Sequence, residues 1–184
     1  MNKRIVKFSD FRNHVSTICR QVQFSSWKPD YVVGITRGGL LPAVMISHWL
    51  GVPMHTLAVS LRDGGSCESN LWMAEDAFGA VPLDQQETIR SRWDISFRKN
   101  ILIVDDINDS GSTINWIKQD WESGCFPNET SVWNTVWNKN VRFAVVFDNL
   151  ASKSEIKMDY TGEEINKAEN DLWIEFPYEE WWSK

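Results

Sequence analysis

Apolar residues fall into two patterns along this chain. Phe11, Val15, Ile18 and Val22 recur at three- and four-residue spacing, which places them on one face of an α-helix. Ser9 stands where it can cap that helix, just before Asp10. Elsewhere the apolar residues run together: YVVGI at 31–35, ILIV at 101–104 and VRFAVVF at 141–147. Such runs suit strands buried on both faces. MHTLAVS at 54–60 and LWIEF at 172–176 read as further strands. LLPAVMISHWLG is a helix with Pro42 in its first turn and Gly51 at its end. Residues 113–122 form another, stopped at Gly124. Residues 131–137 fit a helix through Trp133, Val136 and Trp137, and a strand through their β-branched content.

Strand and helix therefore alternate. The pattern predicts an α/β fold, an open and mainly parallel sheet with helices on both faces. In such sheets ligands bind beyond the carboxyl ends of the strands. Residues 62–99 hold Gly64, Gly65, Gly79 and Pro82 with no clear period. A loop of that length in a compact domain is often functional, with a helical piece expected near Gln85–Trp93. Residues 151–170 are polar and charged, and the stretch from Glu163 to Glu169 reads as a solvated face.

The 184 residues suit one domain, 1–184. A net charge of −6 disfavours nucleic acid as a partner. Cys19, Cys67 and Cys125 have no metal or disulfide spacing. The start of the chain turns polar too early for a signal peptide, and no apolar run approaches a membrane span. The expectation is a cytoplasmic protein without membrane contact. Eleven tryptophans read as core filling and subunit contact, with Trp173 set apart below.

Two loops carry candidate chemistry. The strand at 101–104 runs into Asp105 and Asp106, then Asp109, then Ser110, Gly111, Ser112 and Thr113 at the start of a helix. Small residues there let backbone N–H groups approach an anion, and the helix terminus adds partial positive charge. Ionised carboxylates accept hydrogen bonds from sugar hydroxyls or hold a hard cation. A ribose 5-phosphate satisfies both halves; the plainer reading is a strand-end turn with solvated acids. After the first strand, Thr36-Arg37-Gly38-Gly39 supplies a second anion site, through the Arg37 guanidinium and the close approach that glycine allows.

These stretches carry a resemblance. DDINDSGST resembles the phosphoribosyl-pyrophosphate signature of type I phosphoribosyltransferases, and GITRGGLLPAV their pyrophosphate loop. WIEFPYE resembles the C-terminal segment of purine-salvage members, closest in pattern to the bacterial xanthine-guanine enzymes. The resemblance implies transfer of a phosphoribosyl group to a nucleobase with release of pyrophosphate, and Mg²⁺ as cofactor. Asp105 and Asp106 would hold the ribose hydroxyls directly or through the metal, with Asp106 as metal ligand. Asp109 would handle the base's N7 proton, and Ser110–Thr113 would hold the 5′-phosphate. Arg37 and Gly38 would bind pyrophosphate. Trp173 would stack on the purine, with Ile174 adding backbone contacts. A flexible loop within 62–99, a hood within 150–184 and a homodimer or homotetramer are also implied.

One departure is visible. The family's purine members place a lysine after the strand following the motif helix, against the 6-oxo group. Asp148 and Asn149 stand there instead, and the next lysine is Lys153. Weak recognition of 6-oxopurines is the expectation. The alternative function is a regulator on the same fold that binds sugar phosphate or RNA without catalysis.

Overall fold

The computed structural model describes residues 2–61, 65–125 and 130–183. In chain order the elements are β1 (Asn2–Ile5), α1 (Phe8–Phe24), β2 (Tyr31–Thr36), α2 (Leu40–Leu50), β3 (Met54–Ala58), α3 (Leu71–Phe78) and α4 (Gln86–Ile89). They continue with β4 (Ile101–Asn108), α5 (Ser112–Gly124), α6 (Thr130–Trp133), β5 (Val141–Asn149), β6 (Tyr160–Ile165) and β7 (Leu172–Glu175). Five strands form one parallel sheet in the order β3-β2-β4-β5-β6. β1 and β7 pair in parallel as a separate two-stranded sheet.

Alternate residues of each central strand face opposite layers, and both layers are covered. Ile101 and Ile103 of β4 join a core with α3, α5 and α6 through Met73, Phe78, Ile117, Trp121 and Trp133. Leu102 and Val104 join the other core, with α1 and α2 through Phe11, Ile18, Ala43 and Ile46. The uninterrupted apolar runs thus reflect burial on two sides. The predicted open α/β sheet is the one observed.

Several local readings change. α1 begins at Phe8, with Lys7 as an extended N-cap that makes no side-chain cap bond. Ser9 lies inside the first turn, its hydroxyl 3.4 Å from Asp10 Oδ1. β1 and β6 carry no apolar run; pairing with β7 and β5 makes them strands. Within 62–99, Arg62–Gly64 lie outside the described residues. The rest is not one loop: α3 puts Met73, Ala74, Ala77 and Phe78 into the core, and the helical piece near 85–93 shrinks to α4. The ambiguous stretch at 131–137 begins as the short helix α6. β4 and β5 run past their apolar cores to Asn108 and Asn149, so Asp105 and Asp106 belong to a strand. Among the described residues no helix is long and apolar enough to cross a membrane.

The tryptophans divide. Trp121 and Trp133 are fully buried, and Trp137 stacks within 6 Å of both, whereas Trp181 and Trp182 are exposed. Trp133→Ala should cost about 3–5 kcal/mol, the usual loss for deleting a fully buried indole. Urea denaturation checks this; a loss below 1 kcal/mol, on the order of an ordinary surface change, would mean that the site collapses around the void.

Candidate active site

The loops after β2 and β4 meet at the carboxyl edge of the sheet, as neighbouring parallel strands require. With the segment from β7 onward they enclose a cavity of about 1040 Å³. Arg37, Gly38, Asp105, Asp106, Asp109, Ser110, Gly111, Ser112, Thr113, Trp173 and Ile174 all line it. Residues from three distant stretches of the chain thus share one space.

The cradle is built on Gly111, the N-cap of α5, with φ +86°. Its missing side chain has a second reason: a Cβ there would run into the backbone of Lys153 and Ser154. That segment buttresses the cradle. Lys153 N–H donates to the Ser110 carbonyl at 3.0 Å, and Asn115 Nδ2 donates to the Lys153 carbonyl at 2.9 Å. The Ser110 and Ser112 hydroxyls lie 2.9 Å apart and exposed to the cavity. Across from them Arg37 is exposed at the end of β2, where the Thr36–Arg37 peptide bond is cis.

Asp105 and Asp106 lie in the second half of β4, which ends at Asn108. The Asp106 N–H donates to Asp105 Oδ1 at 2.9 Å. Burial pushes the Asp105 carboxyl well above the ordinary carboxylate range, and the adjacent Asp106 charge pushes it further. Burial also raises Asp106, while the hydrogen bond from Tyr178 favours its charged form. Both carboxyls are thus held above the ordinary range, and a cation or hydroxyl donors beside them would favour their charged forms.

The base end differs from the expectation drawn from residues 148 and 149. Asp148 accepts a hydrogen bond from Asn108 Nδ2 at 2.8 Å. Asn149 is buried; its Nδ2 donates to the Asp109 carbonyl at 2.8 Å, and its Oδ1 accepts from Lys167 N–H at 3.0 Å and Ala151 N–H at 3.2 Å. It is a backbone fastener. Lys153 is exposed and does not line the cavity. A lysine that does line the cavity is Lys167, between β6 and β7, whose Nζ lies 2.9 Å from Asp109 Oδ1. Asn149 therefore pins the backbones of both partners in that ion pair. The 163–169 stretch is not simply a solvated face: Glu163 takes a bidentate pair from Arg4 at 2.5 and 2.8 Å. A lysine within a charged run gave no periodic signal by which to find it.

Trp173 is partly exposed at the cavity wall, and Lys3 lies opposite it in the β1–β7 register. Ile174 beside it is buried. Lys3 pairs with Glu175.

The chain matches the model of the phosphoribosyl transferase domain over residues 2–180. It belongs to that family. Xanthine-guanine phosphoribosyltransferase of Cereibacter sphaeroides is 26% identical over 148 residues, covering 80% of this chain and 68% of the relative. Xanthine phosphoribosyltransferase 1 of Saccharomyces cerevisiae is 21% identical over 138 residues, covering 66% of this chain; the chain spans 61% of that relative's length. Among solved structures, the purine phosphoribosyltransferase of Pyrococcus horikoshii superposes with a TM-score of 0.63 at 20% identity, covering 98% of this chain and 95% of the other. That likeness is one of fold.

Proposed function

We propose that this phosphoribosyl transferase family member transfers the phosphoribosyl group of phosphoribosyl pyrophosphate to a purine base, releasing pyrophosphate. One observation carries the reading. The phosphate cradle Ser110–Thr113, the acidic pair Asp105–Asp106, the Arg37–Gly38 loop and the Trp173 ring line a single cavity. A base nitrogen bonds to the ribose C1′ as the C1′–oxygen bond to pyrophosphate breaks. The cradle's N–H groups hold the 5′-phosphate, and Arg37 takes the pyrophosphate. Asp109 accepts the proton that the base loses at N7. A bare binding module would not need that carboxylate at the base end.

Mg²⁺ fits the donor set. Among the described residues six carboxylates line the cavity, Asp105, Asp106, Asp109, Glu175, Glu179 and Glu180, against the cations Lys3, Arg37 and Lys167. A polyanionic ligand entering such a wall calls for added positive charge. Asp106 and Asp105 would hold the ion, in keeping with its habit of taking one or two carboxylates plus substrate phosphates. What it supplies when bound is neutralisation of the pyrophosphate charge. Among the described residues no group of three or more His, Cys, Asp or Glu side chains is placed to hold a metal ion.

Lys167 and Asp109 favour a 6-oxopurine. A donor and an acceptor side by side match a base edge with an acceptor, O6, beside a donor, N7–H. A 6-amino group would point its hydrogens at the ammonium. Pyrophosphate release from phosphoribosyl pyrophosphate, Mg²⁺ and a panel of bases tests the activity; no release with any base sinks it. Lys167→Met should lower kcat/KM for guanine, hypoxanthine and xanthine roughly ten- to a hundredfold, the worth of one charge-assisted bond. The KM for phosphoribosyl pyrophosphate should hold. Equal efficiency in the variant would remove Lys167 from base recognition.

A further inference from the structure

Tyr178 lies in the segment that follows β7. Its ring stacks on Phe176 at 5.4 Å and 9°, and meets Phe11 edge-on at 5.9 Å and 83°. Phe11 and Phe176 are both core residues, so the phenol is held by a stack on one face and by an edge contact. Its hydroxyl donates to Asp106 Oδ2 at 2.7 Å and lies 3.2 Å from the Gly38 carbonyl. The Asp106 carboxyl in turn occupies the space that a Cβ on Gly38 would need. One hydroxyl thus joins the loop after β2, the end of β4 and the chain beyond β7.

We infer that Tyr178 is a positioning residue for the sugar-phosphate half of the site: its hydroxyl braces the Asp106 carboxylate against the Arg37–Gly38 loop, holding both in register before the ligand arrives. The inference rests on the phosphoribosyl pyrophosphate reading. Holding polar groups in place beforehand removes an ordering cost from binding. A hydroxyl on Asp106 has one other conceivable role, a plug standing where a sugar hydroxyl would go. A plug must leave, and Tyr178 could leave only by giving up its packing on Phe11 and Phe176. The locked ring favours the brace.

Calorimetry with phosphoribosyl pyrophosphate and Mg²⁺ tests this on the full chain and on Tyr178→Phe and Tyr178→Leu, each checked by thermal melting. Tyr178→Phe keeps the ring and loses only the hydroxyl. It should melt only slightly below the wild type and bind roughly tenfold more weakly, the cost of ordering the Asp106 side chain and the Arg37–Gly38 loop when the ligand arrives. Its KM for phosphoribosyl pyrophosphate should rise in step, with the larger part of the loss in KM rather than in kcat. Tyr178→Leu should melt lower, yet bind about as weakly as the Phe variant. Unchanged affinity in Tyr178→Phe overturns the brace, whether or not the Leu variant is impaired, because the ring alone would then matter. Tighter binding in Tyr178→Phe also overturns it and identifies a plug. A wild-type protein that does not bind phosphoribosyl pyrophosphate overturns the functional reading, and this inference with it.

Discussion

Asp109→Asn should lower turnover by ~10²–10⁴-fold, the usual worth of a positioned general base, while affinity for phosphoribosyl pyrophosphate stays close to wild type. An amide keeps the shape of the carboxylate but cannot accept the base's proton. In the proposed reading the sugar phosphate is held elsewhere, on the cradle and the Arg37 loop, so its binding should not register the change. The substitution also removes the Lys167 ion pair at 2.9 Å. Both partners are partly exposed, so stability should change by no more than about 1 kcal/mol. Single-turnover kinetics beside calorimetry separates the two effects. A variant that turns over at the wild-type rate would take the proton role away from Asp109.

The second large effect is expected at Gly111. Gly111→Val should abolish binding of phosphoribosyl pyrophosphate, and the reason is steric as well as conformational. A φ of +86° strains any residue with a Cβ, at about 1–3 kcal/mol. The added carbon would also meet the Lys153–Ser154 backbone, forcing apart the hydrogen bond that ties Lys153 to Ser110. The cradle loses both its shape and its support. The melting temperature should fall as well, by about 2–4 °C for each kcal/mol in a chain of this size. A folded variant with undiminished affinity would show that the 5′-phosphate is held somewhere other than at the start of α5.

The site was only partly legible in the sequence. From Ile101 to Thr113 strand, acids and cradle follow one another without a gap. Backbone geometry alone puts them at one end of β4, so the motif could be read residue by residue. The base end could not. The sequence suggests Asp148, Asn149 or Lys153 for the family's lysine, because those positions lie near it along the chain. The structure brings in Lys167 from beyond β6 and turns Asn149 into the clasp holding Asp109 and Lys167 together. Nothing periodic distinguishes Lys167 from the charged residues around it. The same holds for Tyr178, whose inferred role depends on two acceptors, one from β4 and one from the loop after β2.

Length of pattern and locality of contact separate what each level determined. The sequence by itself determined the α/β class, the central strands and the phosphate cradle, because these follow from alternation, spacing and adjacency along the chain. Tertiary structure alone decided that Asn2–Ile5 and Tyr160–Ile165 are strands, since their side chains carry no apolar run and they are strands only through pairing with β7, at the other end of the chain, and with β5. It alone decided which lysine faces Asp109 and which hydroxyl holds Asp106. Those pairings rest on the parallel order β3-β2-β4-β5-β6 and on the packing of the β1–β7 pair beside it, long-range contacts that no short window of the chain encodes.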